Sequence, residues 1–310
     1  MKRQGLPVET DLERDPYSLY EGIEYKQYWN GLQKRKLDEL ERVIVRKLLP
    51  NSGRRIIDVG CGYGRLADCY MDRFQQVIMV DGSISLLRQA FEKTRGQAIY
   101  IACDATHLPF RTATFDAVLM IRVFQHIEDS KACLFELHRL LCNDGRFVFS
   151  YCNKQNALRI IRWLIRANLE NPFTKEPSGV GSTFISHNPK AVHQLLRESG
   201  FSSMQYHGVG ILNWFAGRIG SAGRWIAPGE YLAPIFGRSK IAPWIICRAI
   251  ARENTSLIDV RGICDLIQCP SCAGSVCEDK QGYQCLVCKR RYPVEDGIID
   301  LRVQEHADTG

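Results

Sequence analysis

Apolar residues in this chain form short continuous runs that alternate with stretches of helical periodicity. Each run is bounded by turn residues, which is typical of buried parallel strands. The predicted strands are residues 55–59, 77–80, 98–103, 116–121 and 146–151, with a further candidate at 203–209. The predicted helices are residues 21–49, 65–74, 84–94 and 189–200. This alternation predicts an α/β fold, a doubly wound sheet with helices on both faces.

A glycine-rich turn follows the first predicted strand, in the segment I-I-D-V-G-C-G-Y-G-R-L-A. Gly60, Gly62 and Gly64 occupy every second position after Asp58. Because glycine lacks a Cβ atom, a ligand can lie against the backbone, and a helix N-terminus offers free N–H groups to an anion. Strand, glycine turn and helix in this order predict a nucleotide-type pocket. The spacing differs from the G-x-G-x-x-G dinucleotide fingerprint, because Arg65 follows Gly64.

The D-x-G-x-G-x-G spacing resembles the first motif of the class I S-adenosylmethionine (SAM) methyltransferases, in particular the methyltransferase type 11 group. The resemblance extends over about residues 40–210 and meets four motifs in register. It implies a Rossmann-like fold and a loop that cradles the amino-acid half of the cofactor. The implied loop residues are Asp58, Gly60, Cys61, Gly62 and Gly64.

An acidic residue ends the second predicted strand. Asp81 lies 23 positions after Asp58. A carboxylate at this place can accept both hydroxyl protons of a ribose, and the same residue in D-G-S is alternatively a simple turn residue. The glycine-loop context favours the ribose role, with Gly82 beside it in the cofactor site.

The ends of the third and fourth predicted strands complete the implied cofactor site. The segment C-D-A-T-H-L-P-F resembles the third motif of the family. The resemblance implies that Asp104 accepts from the adenine amino group and that the backbone N–H of Ala105 meets a ring nitrogen. Residues Ile121–Phe124, at the end of the fourth strand, are expected beneath the transferable methyl group, with Ile121 and Arg122 in the cofactor site.

Candidate catalytic and substrate-binding residues come from two further segments. His126 follows the fourth strand and is positioned to act as a general base, since histidine is easily tuned to a near-neutral pKa. The alternative is a structural histidine in a loop. Tyr25, Tyr28 and Trp29 either shape the acceptor pocket, as N-terminal segments of this family often do, or fill the core beside a packed helix.

Residues 157–252 favour no single interpretation. Residues 158–169 form a basic amphipathic pattern, and between positions 208 and 252 the only acid is Glu230, against six basic residues. The segment contains three tryptophans, Trp214, Trp225 and Trp244, and we expect it to form short helices. It is interpreted as a cap over the acceptor pocket, a membrane-surface contact or a nucleic-acid contact. The first two favour an apolar or lipid-like acceptor.

Two C-x-x-C pairs near the C-terminus have the spacing of a zinc ribbon. The four ligands of one tetrahedral zinc are predicted to be Cys269, Cys272, Cys285 and Cys288. Because all four are thiolates, the metal is expected to be structural. The run C-K-R-R-Y-P-V-E-D-G-I-I-D-L resembles the small zinc-ribbon activator of tRNA-, rRNA- and release-factor-modifying methyltransferases. By that analogy the ribbon packs in cis on the methyltransferase domain, and the alternative is a docking module for another macromolecule.

Composition bounds the remaining possibilities. The chain has 310 residues, a formal net charge of +7 and 13 cysteines. Cysteines scattered singly in apolar runs indicate thiols in a reducing cytoplasm, and neither a signal peptide nor a transmembrane run is found. The expected location is cytoplasmic, with peripheral membrane contact as an alternative. The mild positive charge permits an anionic partner without requiring one.

The predicted organisation has four parts. An N-terminal helical cap (1–50) precedes a SAM-binding domain (51–210) with a helical insert near 155–185. A basic, tryptophan-rich helical segment (211–260) and a zinc ribbon (261–304) follow. The predicted function is SAM-dependent methyl transfer to a small or lipid-like metabolite. The alternatives are a methyltransferase acting on RNA or protein, and a catalytically silent SAM-fold binding protein.

Overall fold

A ten-stranded sheet lies at the centre of the computed structural model, which describes residues 29, 31–180, 184–210, 240–260 and 262–303. In chain order the strands are β1 (Gly53–Val59), β2 (Phe74–Asp81), β3 (Ile99–Ala102), β4 (Phe115–Met120), β5 (Leu141–Asn153), β6 (Ser186–His187), β7 (Phe201–Val209), β8 (Trp244–Ala251), β9 (Val276–Asp279), β10 (Gly282–Cys285), β11 (Arg291–Tyr292), β12 (Val294–Glu295) and β13 (Ile298–Asp300). The sheet order is β12-β13-β3-β2-β1-β4-β5-β8-β7, and β6 pairs with β5. Strands β9, β10 and β11 form a separate three-stranded sheet.

Helices flank the central sheet on both faces. They are α1 (Leu32–Leu48), α2 (Ile84–Thr94), α3 (Ser130–Leu140), α4 (Ala157–Leu164), α5 (Pro189–Glu198) and the short α6 (Ile263–Leu266). Buried residues of α1 and α2 belong to one apolar cluster, and buried residues of α3 and α5 belong to another. Successive residues of a strand point to opposite faces, so Ile56 joins the first cluster and Ile57 the second. The predicted doubly wound α/β architecture is confirmed.

The central strands are parallel, as their continuous apolar runs predict. Strand β1 pairs in parallel with β2 and β4, and the same sense continues to β3 and β5. Four consecutive residues of β2, 77–80, and four of β4, 117–120, are buried. Helix α2 has the predicted bounds, and α5 begins with a proline in its first turn after the cap residue Asn188.

The predicted helix at 65–74 is wrong. In this segment only Ala67–Cys69 is helical, as a single 3₁₀ turn between other turns. Leu66, Cys69 and Tyr70 are buried whereas Asp68 and Asp72 are exposed, so the segment packs on the protein body through its apolar side chains without forming a regular helix. Tertiary contacts override helix propensity here, and the expected helix N-terminus beyond the glycine loop does not exist.

The helical interpretation of 211–260 is wrong for its last part. Residues Trp244–Ala251 form β8, an antiparallel strand between β5 and β7. Ile245, Ile246 and Cys247 are fully buried because both faces of this strand are covered. Tryptophan and arginine content suggested helices, but the local pattern is that of a buried strand. Residues 211–239 lie outside the described residues.

Two other helices are shorter than predicted. Helix α1 begins at Leu32, after Gly31, and residues 21–28 lie outside the described part of the chain. Helix α4 ends at Leu164, shortly before Arg166, which has a left-handed backbone with φ of 56°. Within the described ranges, no helix combines the length and apolar composition that crossing a bilayer requires.

Residues 262–303, the C-terminal unit, add two strands to the central sheet. Strand β13 pairs in parallel with β3, and β12 pairs with β13 at the sheet edge. Ile267 forms an antiparallel bridge with Phe110, and buried residues of the three-stranded sheet share the apolar cluster of α3 and α5. The four-cysteine region therefore packs on the same molecule's sheet through backbone pairing and apolar contact.

Candidate active site and metal centre

Four predicted site residues lie at the same edge of the sheet. Asp58 is near the end of β1, Asp81 ends β2, Asp104 follows β3, and Arg122 follows β4. These strands are parallel neighbours, so their carboxyl ends meet at one edge. In an open α/β sheet a ligand binds in the crevice outside these strand ends. Residues from distant parts of the sequence are thereby brought to one place.

The glycine loop turns in a conformation that favours glycine. Gly60, Gly62 and Gly64 have φ values of 69°, 55° and 70°, in the left-handed region. A Cβ atom on Gly60 would clash with the side chain of Val123. A Cβ atom on Gly62 would meet no atom within 4 Å, so the backbone at Gly62 faces open space. Gly62 is therefore the place where a ligand can approach the loop.

Asp81 ties the glycine loop to the second strand. Its Oδ2 atom accepts a 2.8 Å hydrogen bond from the backbone N–H of Gly62, and its Oδ1 accepts one of 3.0 Å from Ser83. The adjacent carbonyl oxygen of Gly82 accepts a 3.3 Å bond from Arg302, which follows β13. Asp300 holds that guanidinium through bonds of 2.9 and 2.8 Å. The C-terminal unit thus touches the turn that carries the predicted ribose acid.

Asp58 lies beneath the loop. Its side chain is buried and accepts a 2.6 Å hydrogen bond from the hydroxyl of Tyr70. Burial raises the pKa of Asp58 to about 7, although the Tyr70 hydrogen bond and the positive charge of Arg65 oppose the change. Near neutral pH this carboxyl is therefore poised between its neutral and ionised forms.

Asp104 and Ala105 are half-buried beyond the end of β3. The Oδ1 atom of Asp104 accepts bonds from the backbone N–H of Thr106 at 2.7 Å and from its hydroxyl at 2.8 Å. These two bonds fix the orientation of the carboxylate. The structure thus brings the third predicted acid to the same sheet edge as Asp58 and Asp81.

A buried ion-pair network, which the sequence analysis did not identify, joins the glycine loop to the fourth strand. Glu41 of α1 is completely buried. It accepts from Nη2 of Arg65 at 2.9 Å and from Nε of Arg122 at 2.9 Å, with a further bond to Nη2 of Arg122. Arg122 has a left-handed backbone, with φ of 65°. The carboxylate of Glu41 therefore connects three parts of the chain: α1, the residue after the glycine loop and the segment after β4.

Tryptophan rings cover these two arginines. The guanidinium carbon of Arg65 lies 4.0 Å from the ring centre of Trp29, and that of Arg122 lies 3.6 Å from the ring centre of Trp244. A guanidinium over the face of an aromatic ring is attracted by the ring quadrupole. Trp29 is buried, whereas the other predicted aromatic residues, Tyr25 and Tyr28, lie outside the described residues.

His126 lies in the 3₁₀ helix Phe124–His126, beyond the end of β4. Its Nε2 atom is 3.0 Å from the amide nitrogen of Gln125, and its ring meets Phe184 edge to face at 5.8 Å. Phe184 in turn meets Trp244 at 5.7 Å. The histidine therefore joins an aromatic group on the side of the cleft where Arg122 and Trp244 lie.

The four predicted metal ligands converge on one point. Their Sγ atoms lie within 4.8 Å of one another, and two pairs, Cys269–Cys288 and Cys272–Cys285, are 3.6 and 3.5 Å apart. Zn–S bonds of about 2.3 Å in a tetrahedron would place sulfurs roughly 3.8 Å apart, so the spacing fits zinc. The backbone N–H groups of Val287 and Cys288 each donate a 3.4 Å hydrogen bond to the sulfur of Cys285.

Hydrogen bonds prepare one of these thiols for ionisation. The pKa of Cys269 is lowered to about 6: burial opposes ionisation, but a 2.9 Å hydrogen bond from the hydroxyl of Tyr292 and backbone donors outweigh it. A thiolate is the form that binds a metal. The donor set and its hydrogen bonds therefore suit a closed Cys₄ site.

Comparison with known proteins agrees with this geometry. Residues 57–149 match the methyltransferase domain family. A demethylmenaquinone methyltransferase of Thermobifida fusca is 32% identical over 38% of this chain and 53% of its own length. A malonyl-[acyl-carrier protein] O-methyltransferase of Geobacter sulfurreducens is 36% identical over 31% of this chain and 38% of its own length. The chain thus spans about half or less of these relatives.

A solved structure has the same fold over most of the chain. It is a Haloferax volcanii complex that contains the Trm112 methyltransferase activator. The match has a TM-score of 0.55 and 15% sequence identity. It covers 77% of this chain and 99% of the matched chain of that complex. Residues 57–149 are thus similar to the methyltransferase domain family and lie within a doubly wound, Rossmann-like sheet.

Proposed function

We propose that this protein is a SAM-dependent methyltransferase that acts on a small or lipid-like acceptor by in-line displacement. One observation carries the proposal: Asp58, Asp81 and Asp104 stand at adjacent parallel strand ends, beside a glycine loop that is open at Gly62. A nucleoside with an amino-acid tail needs acceptors at three separated points and a bare backbone between them. The relatives named above, which are methyltransferases by name, support the same activity.

In this proposal each acid has its own part of the cofactor. Asp81 receives the ribose hydroxyls, Asp104 the adenine amino group, and the backbone of Gly60, Gly62 and Gly64 lies along the amino-acid tail. Asp58 lies beneath the loop, where an ammonium group would favour its ionised form. When bound, SAM supplies a methyl group made electrophilic by a sulfonium, and the protein has to align the acceptor and exclude water.

In this proposal the methyl acceptor binds beside Trp29, Phe184 and Trp244. These rings, with Arg122 between two of them, offer an apolar wall with one polar position. Such a wall suits a lipid-like or aromatic acceptor better than a sugar. The names of the two relatives, a demethylmenaquinone and a malonyl-[acyl-carrier protein] methyltransferase, agree with acceptors carried on apolar or carrier-bound chains.

His126 is proposed as the general base for an acceptor that must lose a proton. It lies beside Phe184 in the aromatic group, and histidine is the side chain best suited to proton transfer near neutral pH. A His126→Asn variant should bind SAM as the wild type does but lose about 10² or more of its turnover number. Equal turnover in both proteins would leave His126 with a structural role.

Zinc is proposed to have a structural role at Cys269, Cys272, Cys285 and Cys288. All four positions are taken by protein thiols, so no position remains for a substrate or an activated water. The metal would hold together a three-stranded sheet too small to be stable alone. Through β13 this unit steadies the edge of the sheet next to the predicted adenine acid.

Titration calorimetry with SAM tests the proposal directly. The wild-type protein should bind SAM and S-adenosylhomocysteine, and Asp81→Ala should weaken both by at least about tenfold, since even one lost hydrogen bond to a charged acceptor is worth about 1.5 kcal/mol. Asp116 provides the matched control, because it also accepts two backbone N–H bonds but lies at the opposite sheet edge. Asp116→Ala should leave the affinity unchanged. Absence of SAM binding by the wild type would refute the proposal.

Transfer is tested separately from binding. With methyl-labelled SAM, label should move into the organic-solvent fraction of a cell extract. Label in RNA or protein would replace the proposed acceptor class, and salt-sensitive retention on nucleic acid would accompany the RNA case. SAM binding with no transfer to any fraction would indicate a silent binding protein.

A further inference from the structure

Helix α4 is oriented with its apolar side chains toward solvent. No residue of this helix is buried, and Ile161 and Leu164 are 50% and 66% exposed. Arg159, on the other side, points to the protein and donates from Nη2 to the hydroxyl of Ser186 at 3.2 Å. A surface helix ordinarily places its apolar stripe against the core and its charges in water. Helix α4 departs from this pattern, because Ile161 and Leu164 face solvent while Arg159 bonds to the protein.

The apolar stripe continues past the end of the helix. Ile165 is 68% exposed and Leu169 is 90% exposed. Positions 161, 164 and 165 share one helical face because they follow the i, i+3, i+4 spacing. Large aliphatic side chains scattered singly over a surface are ordinary, but a cluster of four in nine residues marks an interaction surface. We call Ile161, Leu164, Ile165 and Leu169 the α4 apolar face.

Positive charge accompanies this face. Arg162 and Arg166 are exposed, and residues 157–169 contain no aspartate or glutamate. A helix with aliphatic residues on one side, arginines beside them and no acidic residue is typical of segments that lie in the interface of an anionic bilayer. Arginine can extend along the apolar surface and still place its guanidinium at a head group.

The α4 apolar face adjoins the edge of the sheet where the cleft opens. Strand β5 ends at Asn153, and Asn156 then caps α4 by accepting from the backbone N–H of Arg159 at 3.1 Å. The backbone N–H of Ala157 donates a 2.9 Å hydrogen bond to the carbonyl oxygen of Ile241. These bonds fix the start of the helix to the body of the protein. Helix α4 therefore starts at a fixed position on the body of the protein, next to the carboxyl end of β5.

We infer that the α4 apolar face docks on an anionic lipid surface, with Arg162 and Arg166 at the level of the head groups. The lipid is preferred to a protein partner because the three charged side chains within residues 157–169, Arg159, Arg162 and Arg166, are all positive, and the adjacent Glu170 is paired with Lys154 at 3.5 Å. The inference concerns a surface outside the cofactor site. It therefore goes beyond the proposed methyl transfer and does not depend on it.

Vesicle co-sedimentation of the full-length protein tests the inference. The wild type should sediment with vesicles of phosphatidylcholine and phosphatidylglycerol, and less with phosphatidylcholine alone. A Leu164→Ser/Ile165→Ser variant should bind roughly tenfold or more weakly, since each side chain loses its apolar transfer. Arg162→Gln should weaken binding about fivefold on the anionic vesicles only. The matched control is Val43→Ser/Phe135→Ser, which removes exposed apolar residues of α1 and α3 and should bind like the wild type.

Other results would overturn the inference. Wild-type protein that stays in the supernatant with anionic vesicles would exclude a lipid surface. Equal binding of the Leu164→Ser/Ile165→Ser variant and the wild type would exclude the α4 apolar face as the contact. A concentration-dependent dimer that this variant abolishes, without vesicle binding, would assign the face to a second copy of the chain. SAM titration of the same variants reports separately on the cofactor site.

Discussion

Glu41 and Arg122 are paired in the interior, although 81 positions separate them in the chain. Glu41 lies on the first helix and Arg122 directly after the fourth strand. The same carboxylate holds Arg65, the residue that follows the glycine loop. One buried acid therefore sets the positions of two cations at the edge of the cofactor cleft.

Removing the charge of Glu41 should destabilise the protein. A Glu41→Gln variant removes the buried charge that pairs with Arg122 and, beside Asp38, with Arg65, and breaking a buried pair in this way typically costs about 3–5 kcal/mol of the free energy of unfolding. Urea denaturation followed by fluorescence measures the change. The control is Asp72→Asn, which breaks the exposed pair with Arg46 and should leave the midpoint unchanged. A Glu41→Gln midpoint equal to that of the wild type would contradict the role assigned to the network.

Adding a methyl group at Gly62 should block binding of the cofactor with little effect on the rest of the fold. The position faces open space, so Gly62→Ala disturbs no protein atom, but it forces alanine into a left-handed conformation that costs about 1–2 kcal/mol. We expect the SAM affinity to fall by at least about tenfold, because the added Cβ atom occupies the ligand's approach to the backbone.

Gly31 supplies the control for that substitution. It also has a positive φ, 105°, and a Cβ atom there would also meet nothing within 4 Å. Its ψ of 146° places it in a backbone region that only glycine adopts readily, so Gly31→Ala should cost at least as much stability as Gly62→Ala and leave SAM binding intact. Calorimetry with both variants, beside their melting curves, separates strain from obstruction. Equal affinity in the two variants would mean that the ligand does not approach at Gly62.

Stability should depend on pH through Asp58. Its folded-state pKa is raised to about 7, whereas an unfolded aspartate titrates near about 4. Between these values the folded protein keeps a proton that the unfolded chain releases. The contribution of this group is therefore complete below about pH 4 and is lost as the pH rises to about 7, by up to about 1.4 kcal/mol per pH unit.

An Asp58→Asn variant should flatten that pH dependence. Chemical denaturation at intervals between about pH 4 and about pH 8, which spans the window, measures the slope for both proteins. Tyr70→Phe removes the hydrogen bond that favours the ionised carboxylate, so it should move the upper end of the window to higher pH. Identical slopes in wild type and Asp58→Asn would show that another group controls the dependence.

Loss of one metal ligand should release zinc and loosen the sheet edge. Cys272→Ser should abolish the single equivalent of zinc that we expect by elemental analysis, and should speed proteolysis around β12 and β13. Cys277→Ser is the control, because Cys277 lies in β9 outside the cluster. Zinc retained in Cys272→Ser, or lost equally in Cys277→Ser, would contradict the assignment of the ligands.

Much of the fold follows from local sequence. Buried parallel strands are continuous apolar runs, so β1, β2 and β4 were predicted within a few residues of their bounds. The glycine spacing and the two C-x-x-C pairs are also local, and the loop and the sulfur cluster lie where these patterns placed them. Each of these signals works because neighbouring residues carry all the information.

Other features required the tertiary structure. The segment at 65–74 lost its predicted helix to contacts with Asp58 and with α1, and β8 became a strand because β5 and β7 bond it from both sides. A helical pattern after the glycine loop had predicted the first helix, and residue content had suggested helices in the second segment. Local preference is worth only tenths of a kcal/mol per residue, so packing decides such segments.

By itself the sequence determined the strand runs, the bare glycine turn and the set of four thiols, because each depends on residues close together in the chain. Only the tertiary structure decided that Glu41 bridges Arg65 and Arg122, that β13 pairs with β3, and that Arg302 reaches Gly82. These contacts join positions that are distant in sequence, and a pairing of that kind leaves no periodic signal in either partner.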